Sequence, residues 1–154
     1  MAGDKPILEN LSLANLTLAV VGATGAVGTE FLRIIEERHP ELHNLKLLAS
    51  KRSAGKKLTV NGAELVVEET TADSFRGVDI AFISVSSSLS GEFGPIAVRA
   101  GALVIDDSSA FRMEPEVPLV VPEVNADDLE HQTPRRASGR ELSLRELNRC
   151  SALL

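Results

Sequence analysis

Thr17-Leu18-Ala19-Val20-Val21-Gly22-Ala23-Thr24-Gly25-Ala26-Val27-Gly28 opens on a short, nearly all-apolar run that ends in glycine. Such a run suits the central strand of a parallel sheet, which is covered on both faces and therefore does not alternate with polar residues. Beyond the glycines, Val27, Phe31, Ile34 and Ile35 recur at i, i+4, i+7 and i+8, which makes one apolar helical face, and His39-Pro40 ends the pattern. Strand, glycine turn and helix in that order form the place where a Rossmann-type fold presents backbone N–H groups and a helix N-terminus to a pyrophosphate. Gly22 permits the tight turn, Gly25 lets backbone approach phosphate, Gly28 lets the helix pack on the strand, and Thr24 adds a hydroxyl donor. A merely structural turn is the bland alternative, and the flanking strand and amphipathic helix weigh against it.

Working outward, residues 45–49 read as a second strand and residues 50–57 as a polar, basic loop. Residues 58–60 and 64–68 flank Asn61-Gly62, whose tolerance of positive φ predicts a tight hairpin at the sheet edge. Residues 78–84 form the next buried strand, residues 88–100 a helix capped by the preceding serines, and residues 103–106 another strand. A short strand is expected at 119–121 and a helical turn at 125–129. The alternation predicts an α/β class: a Rossmann-type, doubly wound, mostly parallel sheet with a small edge hairpin.

In NAD-binding domains an acidic side chain at the end of the second strand meets the adenosine ribose, and it would repel a 2′-phosphate. Ser50, Lys51, Arg52 and Ser53 stand there instead, so the expected cofactor is NADP, with a solvated basic loop as the alternative. The formal charge of −6 disfavours generic attraction to nucleic acid or anionic membrane, so an anion site has to be built locally. One cysteine excludes an intrachain disulfide or a cysteine-rich zinc site, and no metal site is expected. No run approaches the roughly 18 apolar residues of a membrane span, and a soluble, cytoplasmic protein is expected.

Five ordered motifs resemble the amino-terminal domain of aspartate-semialdehyde dehydrogenases. They are Val21-Gly22-Ala23-Thr24-Gly25-Ala26-Val27-Gly28, Leu48-Ala49-Ser50-Lys51-Arg52-Ser53-Ala54-Gly55, Val78-Asp79-Ile80-Ala81, Asp107-Ser108-Ser109-Ala110-Phe111-Arg112 and Val117-Pro118-Leu119-Val120-Val121-Pro122-Glu123-Val124-Asn125. The resemblance implies an NADPH-dependent oxidoreductase that converts β-aspartyl phosphate to aspartate semialdehyde on the route to lysine, threonine and methionine, as a homo-oligomer. It also implies that Thr24, Gly25, Ala26 and Val27 hold the pyrophosphate, that Arg52 and Ser53 hold the 2′-phosphate, and that Arg112 receives the substrate phosphate. The superfamily's N-acetyl-glutamyl-phosphate reductases are a weaker match, because Ser109-Ala110-Phe111-Arg112 and Pro122-Glu123-Val124-Asn125 favour the aspartate enzymes.

Departures from the family pattern are as informative. Val85-Ser86-Ser87-Ser88 replaces a glycine-bearing turn, Asp107 stands where asparagine is usual, and Arg149 interrupts the Asn-Cys pair before Ser151. Residues 1–130 hold 11 Lys and Arg against 20 Asp and Glu, whereas residues 131–154 hold five Arg against two Glu. This shift divides the chain into a leader at 1–15, a nucleotide-binding domain at 16–130 and a divergent tail at 131–154. Ser138 followed by Glu141 is a capping-box pattern, and Leu144, Leu147, Cys150 and Leu154 share a helical stripe, so the tail is expected to be helical with Cys150 an inert packing residue. The expected chain is thus a truncated nucleotide-binding fragment, inactive alone and without a catalytic residue; a non-enzymatic NADP-binding module or partner subunit is the alternative.

Overall fold

The computed structural model describes residues 13–126, Asp128 and residues 150–153. Strand β1 (Leu18–Val21) is buried along its whole length. It leads into helix α1 (Ala26–Arg38), and β2 (Leu45–Ala49) follows parallel to β1. The chain continues through β3 (Lys57–Val60), β4 (Ala63–Val66), β5 (Glu68–Glu69) and β6 (Ile80–Ile83). Helix α2 (Ser87–Arg99), β7 (Leu103–Asp106), β8 (Leu119–Val120), α3 (Pro122–Asn125) and β9 (Cys150–Leu153) complete it. The main sheet runs β5-β2-β1-β6-β7-β9-β8 with every ladder parallel, and β3 and β4 pair antiparallel in a separate ribbon.

Alternation along each strand sends side chains to two cores. Leu18, Val20, Leu47 and Phe82 face α1, where Leu32 and Ile35 meet them. Ala19, Val21, Leu48, Ala81, Ile83 and Val104 face the other way, against Ala97 and Val98 of α2. The chain steps from β1 to β2 in one direction and from β6 to β7 in the other, and crossovers of one hand then lie on opposite faces. The order therefore reverses between β1 and β6. Their carboxyl ends border the crevice where open α/β sheets bind ligands.

The residues read as β2 and β7 form those strands with the expected bounds, and the apolar segments read at 17–21, from 27 to the stop at His39-Pro40, and at 78–84 form β1, α1 and β6 within a residue or two of expectation. The hairpin turns through Asn61 at φ 52° and Gly62 at φ 74°, as the dipeptide predicts, but it stands apart from the main sheet, whose edge is β5. The helical turn begins earlier than expected, at Pro122, because proline suits the first helical position, where no N–H is needed. Asn125 closes that turn: its side chain accepts from the Val121 N–H at 2.7 Å and donates to the Leu119 carbonyl at 2.9 Å.

The tail requires a correction. Cys150–Leu153 is a strand, not the end of a helix, and it lies between β7 and β8, with Val104 opposite Cys150 and both Asp106 and Leu119 opposite Ala152. Backbone pairing on both sides of a four-residue run outweighs the helical spacing of its side chains. The expected division at Glu130 is accordingly not where the sheet ends. The capping box at Ser138 and the leucines at 144 and 147 lie outside the described residues.

Pairing on both edges makes β9 sensitive to a lost donor. Ala152→Pro should remove a ladder bond and leave an unpaired carbonyl opposite it, lowering stability by on the order of 2 kcal/mol in urea unfolding. An unchanged midpoint would show that these residues do not belong to the sheet.

Candidate functional site

The turn after β1 is built from backbone alone. Gly22 sits at φ +86°, and its N–H and that of Ala23 both donate to the Leu48 carbonyl, at 2.8 and 3.1 Å. The Gly22 carbonyl then accepts from the Gly25 N–H at 2.9 Å. A Cβ at Gly22 would land on the Ser84 carbonyl oxygen, and a Cβ at Gly28 would land on the Gly22 carbonyl oxygen. Three segments thus meet at distances that only glycine allows: the end of β1, the end of β6 and the first turn of α1.

Gly25 is the exposed N-cap of α1 and has no side chain to offer. Its carbonyl accepts both the Thr29 N–H at 2.9 Å and the Thr29 hydroxyl at 2.7 Å. Among the described residues, the N–H groups of Ala26, Val27 and Gly28 find no acceptor. Unpaired donors at the positive end of a helix, with Ala26 and Val27 exposed beside half-buried Thr24, are suited to an anion. The residues present therefore fit a pyrophosphate.

Strand β2 lies beside β1, so the loop after it opens at the same end of the sheet. Ser53 and Ala54 donate their N–H groups to the Ser50 carbonyl at 2.8 and 3.1 Å, and Gly55 donates to the Val67 carbonyl at 2.8 Å. These bonds hold a tight turn that leaves Ser50, Lys51 and Arg52 exposed. Neither cation makes an ion pair among the described residues. Ser53 is only 7% exposed, so the hydroxyl and cation surface expected of four residues is presented by three.

On the other side of the crevice, Ile83 lies opposite Asp106, which brings Ser84 beside Asp107 at the carboxyl ends of β6 and β7. The Ser84 hydroxyl donates to Asp107 Oδ2 at 2.8 Å, and the Ser87 and Ser109 hydroxyls lie 2.8 Å apart. The serines that replace glycine after β6 are thus put to local use: Ser86 caps α2 by accepting the Leu89 N–H at 3.4 Å. Reading the residues singly missed the Ser84–Asp107 pair, although aligning the two strand ends would have found it. Asp106 is fully buried, with one oxygen accepting the Ser108 N–H at 2.5 Å and the other unpartnered. Half-buried Arg112 follows in the same loop, its buried Nε without a partner, rather than in a surface ion pair. Cys150 pairs with Val104, two positions short of the strand end that carries this cluster.

A family model described as semialdehyde dehydrogenase, NAD binding domain, matches residues 17–132. The chain belongs to this family. The Bacillus subtilis aspartate-semialdehyde dehydrogenase is 56% identical over 114 residues, which cover 74% of this chain and 33% of that one. The Aquifex aeolicus aspartate-semialdehyde dehydrogenase is 50% identical over 113 residues, 73% of this chain and 33% of the relative. The chain therefore spans about a third of the length of these curated relatives. Among solved structures, Vibrio cholerae aspartate semialdehyde dehydrogenase II complexed with ASA superposes with a TM-score of 0.76 at 36% identity, over 90% of this chain and 41% of that one. The Candida albicans aspartate semialdehyde dehydrogenase with NADP gives a TM-score of 0.63 at 31% identity, over 77% of this chain and 37% of that one. Among the described residues, no helix is long and apolar enough to cross a membrane.

The family's glycine turn allows a clean comparison, because Gly22 and Gly55 share a φ of +86° but only Gly22 has a backbone atom in the way. Gly55→Ala should cost about 1–2 kcal/mol of left-handed strain. Gly22→Ala should add an overlap penalty of roughly 1–3 kcal/mol to the same strain. Equal urea midpoints for the two variants would refute the close approach to Ser84.

Proposed function

We propose that this chain is the NADP-binding domain of an aspartate-semialdehyde dehydrogenase, the oxidoreductase that converts β-aspartyl phosphate to aspartate semialdehyde with release of phosphate. The observation that carries the reading is the pair of anion-suited surfaces side by side at one end of the sheet. The uncapped turn from Gly22 to Gly28 receives the pyrophosphate through the N–H groups of Ala26, Val27 and Gly28, with Thr24 beside them. The exposed loop of Ser50, Lys51 and Arg52 receives the 2′-phosphate, and the paired ends of its turn keep the guanidinium at the surface. The relative from Candida albicans, described with NADP, supports the choice of nucleotide. When bound, this nucleotide supplies hydride.

Arg112 is proposed to meet the substrate phosphate, because its planar fork donates two parallel hydrogen bonds and it lies in the loop at the crevice. Ser84 holds the Asp107 carboxylate by a hydrogen bond, which fixes the one acidic group added at this rim. Reduction of an acyl phosphate by this family's route needs a thiolate to take the acyl group and a base to move its proton. Cys150 is the sole cysteine of the sequence, and it opens a central strand below the carboxyl rim. The proposal therefore gives this chain the binding of nucleotide and phosphate, and gives the acyl-transfer step to groups outside it. Homo-oligomer assembly and a cytoplasmic site belong to the same proposal.

Two measurements test it. Calorimetry should find NADP bound at least tenfold more tightly than NAD, a difference of about 1.4 kcal/mol, and Arg52→Asp should reverse the order. Equal affinities in the parent chain would sink the assignment of Arg52. In an assay of reduced-nucleotide formation with aspartate semialdehyde and phosphate, the parent chain and Cys150→Ser should both be silent. Turnover in the parent that disappears in Cys150→Ser would make that thiol the nucleophile.

A further inference from the structure

One nucleotide has to reach both anion-suited surfaces of the crevice, so the spacing between the start of α1 and the loop of Ser50, Lys51 and Arg52 matters as much as either surface. The loop is closed at its base by chain that returns after the β3–β4 ribbon. At its entry, the Ala49 carbonyl accepts the Thr70 N–H at 2.8 Å and the Thr70 hydroxyl at 3.0 Å. At its exit, Gly55 donates its N–H to the Val67 carbonyl and the Lys56 carbonyl accepts the Val67 N–H, both at 2.8 Å. The entry is thereby fixed to β2, whereas the exit runs directly into β3 and follows the ribbon.

Among the described residues, β3 and β4 pair only with each other, so no ladder of the main sheet orients the ribbon. Val60 near its tip and Val67 at its base are buried in the core that holds Leu32, Ile35 and Leu42. Such burial is non-directional, and a cleft of about 260 Å³ lined by Thr29, Arg33 and Thr59 lies between α1 and β3. The directional contacts are at the tip. The Asn61 N–H donates to Glu36 Oε1 at 3.0 Å, and Asn61 Nδ2 donates to the Leu42 carbonyl at 3.0 Å. Glu36 stands in the last turn of α1 and Leu42 just beyond that helix.

We infer that Asn61 and Glu36 are positioning residues for the 2′-phosphate of the nucleotide. By docking the ribbon tip on the end of α1, they set where the exit of the basic loop, and with it Arg52, stands relative to the N–H groups at the start of the same helix. Helix α1 is then the gauge for both sites: its first turn faces the pyrophosphate, and its last turn places the 2′-phosphate loop through the ribbon. The inference rests on the 2′-phosphate being received by this loop. NAD has no such phosphate and uses only the first surface, so its binding is indifferent to the ribbon's orientation.

Calorimetry on the full chain tests it, with NADP and NAD each titrated into the parent, the double variant Asn61→Gly with Glu36→Ala, and Glu36→Gln. Glycine keeps the positive φ of the turn and alanine keeps the helix, so the double variant removes the tip bonds without straining either element. It should bind NADP about fivefold more weakly, or ~1 kcal/mol, with NAD affinity kept within about twofold. Loss of a carboxylate would by itself favour the more anionic nucleotide, so that fall cannot come from charge. Glu36→Gln retains an oxygen for the Asn61 N–H and should keep the parent's preference. A parent that prefers NADP, with a double variant of unchanged preference, would overturn the inference alone. Equal weakening of both nucleotides would also overturn it, as the mark of a general loss of structure. Equal affinities in the parent would overturn the placing of the 2′-phosphate in the loop, and the inference with it.

Discussion

The contact on which the rest depends is that of the Gly22 carbonyl and Cα with the backbones of Ser84 and Gly28. Because no side chain intervenes, β1 ends against β6 on one side and against the first turn of α1 on the other. The two hydrogen bonds from Gly22 and Ala23 to Leu48 tie the same point to β2. One residue thereby sets the spacing of three strands and a helix at the rim where the nucleotide surfaces lie. A methyl group there would not merely strain the turn; it would push apart the groups that the proposed site needs together.

From that rim the two halves of the crevice acquire different chemistry. The β2 side carries exposed cations held by a turn, and the helix end between offers unpaired N–H groups. The β7 side carries hydroxyls and two carboxylates, of which Asp106 is fully buried. A buried carboxylate costs free energy unless it is hydrogen-bonded, and the Ser108 N–H supplies one bond to it at the start of the loop that leads to Arg112. That loop is therefore anchored at its root, and further along by the Ser109 hydroxyl, 2.8 Å from that of Ser87, and by Phe111 and Val117 packed on the α2-side core.

What could be read in advance was whatever a short stretch decides for itself. Leu45–Ala49 and Leu103–Asp106 were legible because an apolar run between turn residues leaves few alternatives, and Asn61-Gly62 because positive φ at both positions is a local property. The glycine turn was legible for the same reason. Ser84 with Asp107 was not, since their meeting depends on the register of two strands separated by a helix. Ser53 reads as a surface hydroxyl until the turn buries it. Cys150–Leu153 defeated periodicity because four residues fit a helical stripe and a strand equally well, and the partners β7 and β8 decide between them.

The placement of β9 orders the assembly of the molecule in time. Among the described residues strand β8 pairs with β9 alone, so Leu119 and Val120 have no described ladder to join until Cys150–Leu153 arrive between them and β7. Val120, fully buried in the finished sheet, waits as open apolar edge in the meantime. On the ribosome the β5-to-β7 portion can be complete while the far edge is still unmade, which leaves that edge, rather than the glycine turn, as the part of the molecule most open to mispairing.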